Sequence, residues 1–327
     1  MRSSKRTSSC LALLGAAWLL AAPGEAHAYC RTRTCEFFDP DKKPCPIDAA
    51  TGCSMDGEFV FWADACIPFA VQRDGSIMEG IEAAEVEPLI AAGFEEWSRA
   101  ECAGGGSPEL SAASQGPVAC NAVEYNCEVP ELNSNIIMFR DDFVDSRLGL
   151  HLGVIALTTL TANLQSGELF DADIEINSRD EDFDLGDSGG LGASDPRDLR
   201  GVINHELGHL LGLSHSRQPG ALMRAGYEGT TLPSDDDVAG MCAALGVSTT
   251  DPACEVSALS SDAGCLTSDI KCTSRRSVDS GDGCSCHVGA PARPAEPAWA
   301  VAVLIGWLGY RRRGSRRAST RGAHRPR

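Results

Sequence analysis

The chain has 327 residues and a formal net charge of −18, from 46 Asp and Glu against 28 Lys and Arg. The imbalance sits in the middle: residues 29 to 289 keep 44 of the acids and 16 of the bases, a net charge of −28. Such a surface repels phosphate backbones, which argues against nucleic acid as a partner and is compatible with solubility outside a cell.

Length alone would suggest two domains, but both ends read as addresses rather than fold. Arg2, Lys5 and Arg6 precede an apolar run from Cys10 to Ala22, and Ala26-His27-Ala28 offers a small-residue cleavage site. Residues 1–28 therefore read as a secretory signal peptide, the apolar run being short of the ~20 residues that span a bilayer. Cys10 leaves with it, and the fourteen remaining cysteines, bound for an oxidising compartment, are expected to form disulfides. Residues 29–57, dense in Cys, Pro and Asp, read as a disulfide-tied extension. Cys120 and Cys127 flank a short loop and are candidates to pair, although spacing does not fix connectivity.

Residues 58–247 carry the periodic segments. Cys66 to Val71 reads as a first strand, and Ile81 to Ala100 as an amphipathic helix starting near Val86, so that Pro88 falls in the first turn. Asn135 to Phe139 and Val154 to Leu160 are strand candidates, and Asp171 to Asn177 alternates at period two. A second helix is expected from Pro196, with Asp195 as its N-cap. The fold class is α+β: a twisted, mixed sheet with one helix behind it and the second beneath.

That second helix carries the densest chemistry, His205-Glu-Leu-Gly-His-Leu-Leu-Gly-Leu-Ser-His215. His205 and His209 are i and i+4, so both imidazoles project from one face. Gly212 can take the left-handed conformation that ends the helix and brings back His215. Three neutral nitrogen donors suit one Zn2+ and leave a fourth position for water, whose pKa falls toward ~7. Glu206, one step round the turn, is placed to be the general base. A bare H-E-x-x-H is usually ordinary surface helix; the added glycine and third histidine make this pattern far more specific.

The extended motif is that of the metzincin zincins. The run from Asp198 to Ser216, followed by Ala221-Leu222-Met223 and Tyr227, resembles the matrixin branch of those metalloproteases. Weaker, correctly ordered matches are Trp97, Gly167 to Asn177, and Ser234 to Gly240. The resemblance implies His205, His209 and His215 as zinc ligands and Glu206 as the catalytic residue. It also implies Met223 as a methionine turn under the metal, and Tyr227 in the wall of the specificity pocket. The strand Val154 to Leu160 would pair with an extended protein or peptide substrate. Arg224 and Ala225 depart from the family's usual residues, so pocket preference does not carry over. With seven histidines in all, one zinc is expected. A calcium reading attaches to Asp180 to Asp187 with Asp171 or Asp173, against the plainer reading of a solvated loop. A propeptide cysteine on the zinc would impose latency, but Cys30, Cys35, Cys45 and Cys53 lie outside the family's switch motif, and structural disulfides are expected there.

Residues 248–289, rich in Ser, Asp, Gly and Cys, read as a disulfide-stiffened stalk. In residues 290–327 the apolar run Ala298 to Tyr310 precedes Arg311, Arg312, Arg313, Arg316 and Arg317. With Gly283-Cys-Ser-Cys286 before it, this resembles the Myxo-CTERM sorting tail, which implies delivery to a bacterial surface or the medium. A plain membrane anchor is the alternative, and membrane contact is expected only through the signal peptide and this tail. The expectation is thus a secreted or surface-displayed zinc endopeptidase. The rival is a surface adhesion or binding module with a vestigial zinc site, and the sequence does not speak to oligomeric state.

Overall fold

The computed structural model describes residues 28–37, 44–143, 154–185, 196–250, 252–266 and 303–308. The signal-peptide run through His27, Asp195, residues 186–187, the Gly283 to Cys286 motif and the arginine cluster lie outside the described residues.

The apolar run Cys66–Gln72 forms β1, one strand in from the edge of the sheet, paired in parallel with β2 (Ser111–Val118) at that edge and β3 (Asn135–Phe139) on its other side. β4 (Val154–Ala162) and β5 (Glu168–Ile176) form an antiparallel pair, and β5 also runs parallel to β3. β6 (Val303–Leu308) adds antiparallel to the outer edge of β4, with Val303 opposite Leu160 and Ile305 opposite Thr158. The order is β6-β4-β5-β3-β1-β2, the mixed sheet expected. Two of these strands were not expected. β2 reads Ser-Ala-Ala-Ser-Gln-Gly-Pro-Val and shows no apolar alternation. β6 lies within the run read as a membrane segment; among the described residues no helix is long and apolar enough to cross a membrane.

Helix α1 (Ala83–Ser98) starts three residues before the expected Val86, because the Glu85 carboxylate accepts the Glu82 N–H at 2.9 Å and caps the first turn. Pro88 consequently sits in the second turn and forfeits one intrahelical bond. Val86, Ile90, Phe94 and Trp97 form its buried stripe, while Ala84 is exposed. Helix α2 (Leu199–Leu210) starts after, not at, Pro196. Arg197–Asp198 instead pairs in parallel with Phe183–Asp184, and the Asp198 carboxylate accepts the Arg200 N–H at 3.0 Å as the N-cap. Every residue of α2 except Arg200 is buried.

Both helices lie on one face of the sheet, their buried residues continuous with Phe69, Val71, Ile137 and Ile174. They cross closely: a Cβ on Gly93 would collide with Asn204, and the Trp97 indole donates to the Asn204 carbonyl at 3.1 Å. On the opposite face Ala70, Val118, Ile136 and Met138 are covered by Leu259 and Ala263. Cys66–Cys254 and Cys120–Cys265 hold that covering segment in place, so the stretch expected as a stalk packs on the sheet as far as residue 266. Cys120 therefore pairs with Cys265 rather than Cys127, which is itself disulfide-bonded. Cys30–Cys53 and Cys35–Cys45 close the N-terminal extension, leaving none of its four cysteines as a thiol. Cys102–Cys242 ties the chain beyond α1 to helix α3 (Asp235–Leu245).

Candidate metal centre

The helical period sets His205 above His209, with their Nε2 atoms 3.0 Å apart. Gly212 follows the end of α2 at φ +99°, where a residue lacking Cβ reverses the chain at little cost. Trp62 donates its indole N–H to the Leu210 carbonyl at 2.8 Å, satisfying one of the acceptors the helix end leaves open. Leu213–Ser214 then pairs antiparallel with Cys30–Arg31. This returns His215 to the other two rings, at centroid separations of 5.4 Å from His205 and 4.8 Å from His209. One ring nitrogen from each histidine lies within 4.8 Å of the others.

The outward bonds of the rings decide which nitrogens face inward. His205 Nδ1 is 2.6 Å from the Leu222 carbonyl and His209 Nδ1 is 2.9 Å from the Leu213 carbonyl. A carbonyl only accepts, so each Nδ1 carries the proton and each Nε2 presents a lone pair. His215 Nε2 is buried without a hydrogen-bond partner among the described residues. Lone pairs so close repel unless a cation lies among them, and two nitrogens ~2.0–2.1 Å from one tetrahedral zinc are roughly 3.3 Å apart. The donor set fits Zn2+. Burial holds all three histidines below the ordinary imidazole value, His215 down to about 4. They are therefore neutral at pH 7, the form that a metal requires.

Glu206 is fully buried beside them. Its Oε2 accepts from the Thr158 hydroxyl at 2.6 Å, and its Oε1 has no hydrogen-bond partner among the described residues. Burial pushes its carboxyl up to about 8, against the downward pull of the Thr158 bond; a dication held by the adjacent imidazoles would favour the ionised form that a base needs.

Met223 packs under α2, where a Cβ on Gly208 would collide with its Sδ. Its turn is fixed from two sides. Ser216 N–H donates to the Met223 carbonyl at 2.8 Å, and the buried Asp237 carboxylate accepts the Leu222 and Met223 N–H groups at 2.7 and 3.0 Å. Asp236 accepts the Ala28 and Tyr29 N–H groups at 2.6 and 3.1 Å and the Ser216 hydroxyl at 2.7 Å. Thr158, Asp236 and Asp237 were not singled out from the sequence. The Asp235-Asp236-Asp237 run at a helix N-terminus and a threonine inside an apolar strand were the available signals.

Tyr227 stands at the other end of α2. Its hydroxyl accepts the Asp198 N–H at 3.0 Å, and the Arg197 guanidinium lies over its ring at 5.2 Å, itself paired with Glu181 at 2.9 Å. The acidic residues considered for calcium have separate partners. The Asp173 carboxylate accepts the Ile136 and Glu124 N–H groups on the sheet's outer face, whereas Asp180 lies 3.9 Å from the Arg179 guanidinium.

No curated protein matches the chain. Residues 150–245, which run from before β4 to the end of α3 and include all three histidines, match the family model of the matrixins. Over that segment, less than a third of the chain, the protein is similar to a family of metallopeptidases.

Proposed function

We propose that the chain is an exported, zinc-dependent endopeptidase. Its residues 1–28 would direct export and residues 290–327 would sort it to the cell surface or medium, and the five described disulfides support an oxidising destination. His205, His209 and His215 would hold one Zn2+ through Nε2. When bound, that ion supplies a Lewis acid and a water of lowered pKa. Glu206 takes the proton of the attacking water and returns it to the departing amine, so no serine or cysteine nucleophile is needed. Met223 would serve as the methionine turn beneath the ligands and Tyr227 as part of the pocket wall. Protein or peptide segments are the substrates that fit; the strand addition that the family resemblance implies would require residues 303–308 to leave the outer edge of β4, which they occupy.

The observation that carries this reading is the convergence of three imidazole lone pairs, each of two rings oriented by a main-chain carbonyl, beside a buried carboxylate. Glu206→Ala is expected to abolish cleavage of denatured protein while one zinc per chain is retained. Full activity in that variant overturns the mechanism. Wild-type protein that binds zinc but cuts no peptide would establish the binding module instead.

A further inference from the structure

Thr158 is buried completely in β4, among Ile155, Ala156, Leu157 and Leu160. A hydroxyl in such surroundings is costly unless it is bonded. Its Oγ1 lies 2.6 Å from Glu206 Oε2 and 3.3 Å from the Glu206 main-chain oxygen. A threonine hydroxyl has one hydrogen, and the shorter contact, to the carboxyl oxygen, takes it. The donor is stiff for two reasons. Branching at Cβ restricts its χ1, and β4 is fixed in register, with Thr158 opposite Ile174 of β5.

The Glu206 carboxyl is thereby two-sided. Oε2 is engaged by a rigid donor from another element, 48 residues away in the chain. Oε1, equally buried, is unengaged among the described residues. We propose that Thr158 is a positioning residue for the hydrolysis: by holding Oε2 it fixes the carboxyl plane and reserves Oε1 as the atom that accepts and returns the proton. The proposal rests on the peptidase reading above and adds to it a residue outside the zinc motif. Without the hydroxyl, the carboxyl can rotate about its terminal bond, and either oxygen can drift from the reacting water. Orientation losses of this kind act on the chemical step rather than on substrate binding.

Valine replaces the hydroxyl with a methyl of the same shape, and serine keeps the hydroxyl while losing the methyl. With zinc loading matched, Thr158→Val is expected to lower kcat roughly 10- to 100-fold with KM within about twofold, and Thr158→Ser to restore kcat to within about fivefold. An unchanged kcat in the valine variant overturns the proposal. So does a serine variant as impaired as valine, which would assign the effect to packing. A second measurement uses chelated protein and no substrate. Thr158→Val is expected to shift the melting temperature by a different amount in the wild-type background than beside Glu206→Ala, because the two side chains share one bond. Equal shifts in both backgrounds overturn the contact itself. A wild-type protein without peptidase activity sinks the parent reading and the role of Thr158 with it, while the melting cycle still tells whether the bond exists.

Discussion

Replacing Asp171 by Asn tests the electrostatics of the face of the sheet opposite the helices. Asp171 and Asp173 alternate on β5 and are both fully buried, Asp171 hydrogen-bonding to Asp173 and Glu175 continuing the row. Desolvation raises both carboxyls, Asp173 to about 8, with each other and Glu124 adding for Asp171, and Glu175 and Glu124 adding for Asp173. The folded pair therefore keeps a proton that the unfolded chain releases near pH 4. The sign follows: the stabilisation is full below pH ~4 and is lost as pH rises toward about 8. One proton amounts to about 1.4 kcal/mol per pH unit, so from pH 5 to 8 the wild type loses about 4 kcal/mol from this source. For a unit of this size that is about 8–16 °C in Tm. An asparagine at 171 donates an N–H to Asp173 without a proton to lose, so Asp171→Asn should flatten the dependence and melt higher than wild type at pH 8. Paired melting curves at pH 5, 6, 7 and 8 cancel the contributions of Glu206 and the other titrating groups. Parallel curves for the two proteins would refute the shared proton.

Two further outcomes follow from packing and pairing. Gly208→Ala drives a methyl into Met223 Sδ and to 3.1 Å from the Trp97 ring, an overpacking cost of about 1–3 kcal/mol that exceeds the helix-propensity gain. Its Tm should fall, and Met223→Ala in the same protein should recover part of the loss; a Gly208→Ala variant that melts no lower than wild type would mean the helix and turn are not in contact. Deleting residues 290–327 removes β6 and uncovers the outer edge of β4. Deuterium uptake in peptides covering 154–162 should rise within the first exchange times, and unchanged uptake would show that this edge is not paired with 303–308.

The candidate metal-centre residues were readable in the sequence because three histidines, a glutamate and the reversing glycine fall within eleven residues and local helical geometry joins them. β1, β3, β4 and β5 were readable for a similar reason, since burial on both faces or strict alternation leaves a mark in composition. β2 left none: its serines and alanines are held by neighbouring strands rather than by their own apolarity. Thr158 reaches Glu206 from 48 residues away, and Asp237 reaches Leu222 from 15, contacts that exist only once the sheet and helices have packed. The start of α2 was misplaced because Asp195-Pro196 is a good helix opening in isolation. The Arg197–Glu181 pair and the short ladder to Phe183–Asp184 keep that segment extended for three more residues. Disulfide partners were beyond reach for the same reason, Cys120 and Cys265 being 145 residues apart.

Three of those cross-links share a geometry that bears on survival among other proteases. Cys66–Cys254, Cys102–Cys242 and Cys120–Cys265 each join the front half of the fold to its last segment and are nested one across another. A single clip anywhere between Cys120 and Cys242 leaves two fragments bound by three covalent staples, so a nicked molecule runs as one band until a reductant is added. Scission and disassembly are thereby uncoupled, and the imidazoles on α2 can outlast a broken backbone.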